Sequence, residues 1–186
     1  MTSKFYTTFF AECRKLILYL LIATCFIILF AIVAVAKNYD DSDISCLAEN
    51  MYWEARNQSK AAMLAVSHVV MNRVDDNRYP NNICDVVKQG PTRKSWKDPN
   101  VLIPVRHRCQ FSWFCDGKSD IPPKVDSDLW LETQTLAKHF LFNYKWIIDP
   151  TDGATHYHAY YVRPSWAESK LRTARIESHI FYRWKK

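Results

Sequence analysis

The sequence predicts an α+β domain, mainly helical with a small C-terminal antiparallel sheet, preceded by one transmembrane helix. Three observations carry this. Apolar residues recur at helical spacing in three stretches between residues 42 and 144. Aromatic and β-branched residues gather instead after the turn signal Asp149-Pro150-Thr151-Asp152-Gly153. Residues 16–36 carry no charge. With 48% apolar and 24% charged residues the composition is globular, and 186 residues less an apolar run leave room for one core.

The run Leu16 to Ala36, LILYLLIATCFIILFAIVAVA, is 21 residues, long enough as a helix to cross roughly 30 Å of hydrocarbon. Lys4, Arg14 and Lys15 precede it, while Asp40, Asp41 and Asp43 follow Lys37. The excess of positive charge before the run makes residues 1–15 a cytoplasmic tail and 16–36 a membrane anchor. The rest then lies in the periplasm or otherwise outside the cytoplasm. Ala34-Val35-Ala36 is also an A-x-A sequence, so a signal cleaved to release a secreted domain stays open. Either way the domain is exported. Cys46, Cys84, Cys109 and Cys115 then sit in an oxidising compartment as an even set, fit for two disulfides in any of three pairings.

Residues 37–43 read as a polar linker, and 44–186 as one catalytic domain. Ser42 or Asp43 is a natural cap for a first helix ending at Arg56, with Ile44, Leu47, Ala48, Met51, Tyr52 and Ala55 on one stripe. Ser59 caps a second helix running to Val74, apolar on most sides and therefore central. Residues 75–123 hold six of the eight prolines and read as a long, cross-linked surface excursion. A third helix runs from Ser127 to Asn143 or Tyr144. ATHYHAYYV then reads as a strand, with SHIFYRW as its partner.

A net charge of +6 suits an anionic partner such as wall polymer or lipid. The basic residues form no stripe on a recognition helix, so no nucleic-acid partner is expected. Gly90, Gly117 and Gly153 are scattered and build neither a dinucleotide nor a phosphate loop, and no cofactor is called for. Ser67 and Ser112 lack a nucleophile-elbow setting. Cys84 or Cys109 with a histidine would make a peptidase, a reading that disulfide pairing removes. His156 and His158 share a strand face, but no third ligand is spaced to join them, with His139 and His179 dependent on the fold; no metal site is expected. A monomer is expected.

Glu54 is the carboxylate whose position suggests chemistry. At roughly 100° per residue from Ile44, it falls at about 280°, on the edge of the apolar stripe, while Glu49 at about 140° faces solvent. Partial burial favours the protonated form, and so does the negative end of the helix dipole. A carboxyl held protonated near neutrality is what glycosidic cleavage needs. On geometry alone, a Glu54 that pairs with Arg56 or sits in solvent is the favoured reading.

The ordered blocks CLAENMYWEAR, AAMLAVSHVVMNRV, YPNNICDVV, CQFSWFCDG, DGATHYHAYYVRPSWA and ESHIFYRW resemble the spore cortex-lytic enzyme type of cell-wall hydrolase, over residues 46–184. The resemblance implies a lysozyme-like helical part, peptidoglycan glycan strands as partner, and cleavage between N-acetylmuramic acid and N-acetylglucosamine. It also implies that Glu54 is the catalytic acid. Asn57, Lys60 and Glu177 depart from the family pattern, Glu177 standing where a glycine is usual. Simple muramidase hydrolysis needs a second carboxylate. Asp85, Asp116 and Asp152 are available, but none is set by a motif to face Glu54, which favours a lytic transglycosylase. Gln110, Ser112, Tyr157, His158 and Tyr161 are candidate sugar contacts, while Trp113, Trp166 and Trp184 are expected in the core. The roles open to such a chain are phage-induced lysis, wall remodelling, and membrane-anchored wall binding without activity.

Overall fold

The computed structural model describes residues 14–27 and 39–185. The chain divides between Asn38 and Tyr39 into two compact units. In the first, helix α1 occupies residues 14–27 with exposed side chains. Among the described residues no helix is long and apolar enough to cross a membrane. The expected span continues through 28–36, and those residues, like 1–13, lie outside the described ones.

In the second unit, helix α2 spans Asp41–Ala55 and helix α3 spans Lys60–Val74. The cap of α2 is Asp40, whose carboxylate accepts the Asp43 N–H at 2.9 Å and the Ser42 hydroxyl at 2.7 Å. The expected cap at Ser42 or Asp43 is thus replaced, and residues 41–43 are helix rather than linker. α2 buries Cys46, Leu47, Ala48, Met51, Tyr52 and Ala55. The nearly all-apolar α3 is buried along its length, as its sequence expects. Helix α4 is the short turn Ile83–Val87, and helix α5 spans Ser127–Asn143, burying Ala137, Phe140 and Leu141. One cluster joins all four helices to Phe111 and Trp113. Burial of each such large apolar side chain is worth about 1.5–3 kcal/mol.

The excursion of residues 75–123 is tied down at two points. Cys46 pairs with Cys84, fixing its start to α2, and Cys109 pairs with Cys115. That pairing removes the cysteine-nucleophile reading. Between them, strands β1 (Thr92–Lys94) and β2 (Leu102–Pro104) form an antiparallel hairpin.

A second sheet, in the order β3-β5-β4, is antiparallel and built from β3 (His156–Ala159), β4 (Leu171–Ile176) and β5 (His179–Arg183). The predicted strand through Val162 stops at Ala159, because the Val162 N–H turns back to the Ala159 carbonyl at 2.9 Å. Tyr157 lies directly opposite Phe181, and Phe181 packs with Ala65 and Val69 of α3. Strand alternation puts His156, His158 and Tyr182 on the other face.

Candidate active site

Glu54 stands in the last turn of α2, near the negative end of the helix dipole. The residue keeps partial exposure. Burial is the main influence and lifts its pKa above the usual carboxylate range; the Tyr157 phenol and the Arg73 guanidinium pull the other way. Arg56 does not pair with it. That guanidinium lies 4.8 Å from the Trp53 ring and 5.1 Å from the Tyr52 ring, and donates to the Tyr52 hydroxyl at 3.0 Å. Glu49, expected in solvent, is partly buried instead, and burial lifts its carboxyl too. Its hydroxyl neighbour Ser45 and the nearby Lys88 mark it as a local surface cluster.

Tyr157 reaches Glu54 from β3. Its hydroxyl is buried and makes no regular hydrogen bond, yet the two groups are close enough for each to shift the other's titration. Burial and the neighbouring carboxylate hold the phenol well above its usual pKa. Such a phenol stays protonated, and its proton faces the neighbouring Glu54 carboxyl.

Arg73, near the C-terminus of α3, is the buried cation of the cluster at 4% exposure. Its Nε donates to the Thr155 carbonyl at 2.8 Å. The guanidinium carbon lies 4.9 Å from the Phe111 ring and 5.4 Å from the Tyr79 ring, favourable stacking for a desolvated cation. Nη1 has no hydrogen-bond partner among the described residues. Desolvation lowers the Arg73 pKa, while Tyr157, Tyr79 and Glu54 act to raise it. Arginine remains charged regardless. This residue was missed in the sequence, although it is the one charged side chain (histidine aside) between Ala61 and Val74 of a helix that otherwise reads as core.

Phe111, 2% exposed, packs under Arg73 and lies 6.4 Å from the Tyr157 ring. Its chain neighbours Gln110 and Ser112 are both exposed. His158 is not part of the Glu54 cluster. Its ring stacks on Tyr182 at 5.2 Å on the opposite sheet face, and its nitrogens meet Tyr182 Oη at 3.0 Å and the Ala159 carbonyl at 2.9 Å. Tyr161 lies beyond the end of β3, 77% exposed. His156 shares the outer face with Trp166 and Trp184, and burial with nearby cations depresses its pKa to about 3. His179 lies against Tyr157 on the inner face and His139 is exposed on α5, so these histidines do not converge. Trp113 is core as expected, whereas Trp184 is 38% exposed.

No carboxylate acts on Glu54 among the described residues; the charge that does is Arg73. The Asp116 carboxylate is engaged with Lys118, that of Asp85 accepts from the Asn82 side-chain amide, and that of Asp152 meets Arg183 at 3.5 Å. The arrangement is one buried acid, one phenol and one cation. It can deliver a proton and then tolerate the anion left behind.

The sequence model of one family, Cell Wall Hydrolase, matches residues 57–182. The chain belongs to that family. The match begins just past Glu54 and includes Arg73, Phe111 and Tyr157. A curated relative, the spore cortex-lytic enzyme of Halalkalibacterium halodurans, is 28% identical over 152 residues, covering 79% of this chain and 36% of that protein. The chain therefore spans about a third of that relative's length. Two solved structures share the fold at a TM-score of 0.55 and 24% identity, covering 80% of this chain. They are the catalytic domain of the Bacillus cereus SleB protein, 95% covered, and the catalytic domain of the germination-specific lytic transglycosylase SleB from Bacillus anthracis, 100% covered.

Proposed function

We propose that this chain cleaves peptidoglycan glycan strands between N-acetylmuramic acid and N-acetylglucosamine as a lytic transglycosylase, with Glu54 as acid and then base. The observation that carries the reading is a carboxyl whose protonated form burial favours, with a cation and a phenol beside it and no second carboxylate acting on it among the described residues. A retaining or inverting hydrolase works with a pair of carboxylates. One carboxyl is enough when the substrate supplies the nucleophile. Glu54 gives its proton to the glycosidic oxygen as the C1–O bond breaks. The resulting carboxylate, stabilised by Arg73, takes the proton of the muramic acid 6-hydroxyl while that oxygen bonds to C1. The product is a 1,6-anhydro ring, and Glu54 ends protonated as it began.

Family membership and the likeness to a named lytic transglycosylase support a wall glycan as substrate. The uncharged run 16–36 and two disulfides support export of the domain, either tethered by that run or released after cleavage. An enzyme of this kind serves lysis of a wall or its remodelling.

The test is to digest purified peptidoglycan and identify new ends by mass spectrometry. Anhydromuramic ends are expected. Reducing muramic ends would instead make the chain a muramidase, and free peptide ends would end the glycosidase reading. Glu54→Gln should bind wall without releasing fragments; a parent protein that also only binds would be a wall-binding module.

A further inference from the structure

The β1–β2 hairpin takes no part in that chemistry. Between Gly90 and Cys109, Arg93, Lys94, Lys97, Arg106 and Arg108 stand against Asp98 alone, and all five cations are exposed. Much of the chain's positive excess is thus in one projection. Apolar side chains share it: Trp96 is 80% exposed, Leu102 61% and Val101 48%. Lys94 faces Leu102 across the hairpin and Arg93 faces Ile103, so cations and aliphatic side chains interleave. The Lys97 ammonium lies 5.3 Å from the Trp96 ring centre.

The hairpin is held out rather than folded back. The Val105 N–H bonds the Pro91 carbonyl at 2.9 Å, and the Gln110 N–H bonds Gln89 at 2.8 Å. Arg106 Nε bonds the Asp116 carbonyl at 2.9 Å, and the Cys109–Cys115 disulfide closes the base. Gly90 is required there, because a Cβ would meet Cys109 Sγ at 2.9 Å.

We infer that this hairpin docks on a bilayer surface bearing anionic lipid headgroups, with Trp96 and Leu102 entering the interface and Lys94 and Lys97 meeting the headgroup phosphates. Tryptophan favours the membrane–water interface, and cations are drawn to an anionic leaflet. A dissolved polyanion would also attract the cations, but gives Val101 and Leu102 nothing apolar to enter. The contact is independent of Glu54 chemistry, so it stands or falls apart from the proposed activity.

The second unit, residues 39–186, has its own core and both disulfides, and its solved relatives are catalytic domains by themselves. Testing that domain alone keeps the apolar run 16–36 from contributing. It is sedimented with phosphatidylcholine vesicles, with and without phosphatidylglycerol. Binding is expected with phosphatidylglycerol only, weakening with salt. Trp96→Ser with Leu102→Ser should weaken it at least about tenfold, and Lys94→Gln or Lys97→Gln about fivefold each. Release of fragments from soluble glycan should not change in any of them. Equal pelleting with both vesicles, or undiminished binding by the Trp96/Leu102 variant, overturns the inference. So does binding to soluble poly(glycerol phosphate) in place of vesicles, which would assign the hairpin to a wall polyanion.

Discussion

Arg73 Nε donates to the Thr155 carbonyl at 2.8 Å, which fixes the guanidinium between the end of α3 and the start of the sheet. From there its charge acts on Glu54. The cation opposes burial, holding the Glu54 pKa lower than burial alone would. Arg73→Gln should therefore move the alkaline limb of the activity profile to higher pH. It should also lower kcat by about 10²-fold, because the carboxylate formed on proton delivery loses its stabiliser. Arg73→Lys keeps the charge and should leave the limb near its place, even where kcat falls. The readout is initial rate of glycan release against pH. A folded Arg73→Gln protein with an unmoved limb would show that Arg73 is structural only.

Glu54→Gln separates chemistry from stability. Loss of the acid should cost about 10²–10⁴-fold in turnover. The stability effect has the opposite sign at high pH. Since the folded-state pKa is raised, the native protein holds a proton that the unfolded chain releases once pH passes the ordinary carboxylate value. Stability from Glu54 is therefore full below that value and is lost as pH rises through the raised one. Glutamine cannot charge, so the variant should melt at a higher temperature than the parent at about pH 8, with little difference at about pH 4. Thermal unfolding at the two pH values checks this, and a constant gap would contradict a raised Glu54.

The helices were legible because their apolar periodicity is strong; α5 begins and ends where the pattern says. The start of α2 was not, since Asp40, Ser42 and Asp43 all cap well and only the fold selects among them. Strand β4, LRTARI, escaped because it carries three polar side chains and buries none of its residues fully, so no alternation marks it. At the site, Glu54 stood on its stripe edge, but Arg73 passed as part of a core helix. Neighbours Tyr157 and His158 were both taken as sugar contacts, though period-two geometry sends one inward and the other to the outer face. Disulfide partners depend on contacts between α2 and α4 that no local pattern encodes.

Those disulfides should differ in weight. Cys46–Cys84 closes a separation of 38 residues and Cys109–Cys115 one of 6. By loop entropy the first restricts the unfolded chain more, about 4 against about 2 kcal/mol. Paired serine substitutions at each bridge, compared by urea unfolding, should lower the midpoint more for Cys46/Cys84. Equal losses would mean that native packing, rather than loop closure, sets their contribution.

Glu177 replaces a glycine expected between β4 and β5, and its φ of +47° is the left-handed conformation that glycine adopts freely. The structure gives the residue compensation. Its carboxylate oxygens accept the Ser59 N–H at 3.2 and 3.3 Å, and Ser59, the N-cap of α3, makes no side-chain cap of its own. A carboxylate at a helix N-terminus also meets the positive end of the dipole. Glu177→Gly relieves the strain, about 1 kcal/mol, but loses the cap, also about 1 kcal/mol. It should melt close to the parent. Glu177→Ala keeps the strained backbone and loses the cap, so it should be less stable by about 1 kcal/mol. Chemical denaturation of the three proteins separates the two terms. If alanine proved as stable as glutamate, the Ser59 contact would contribute nothing, and the departure from glycine would be only tolerated.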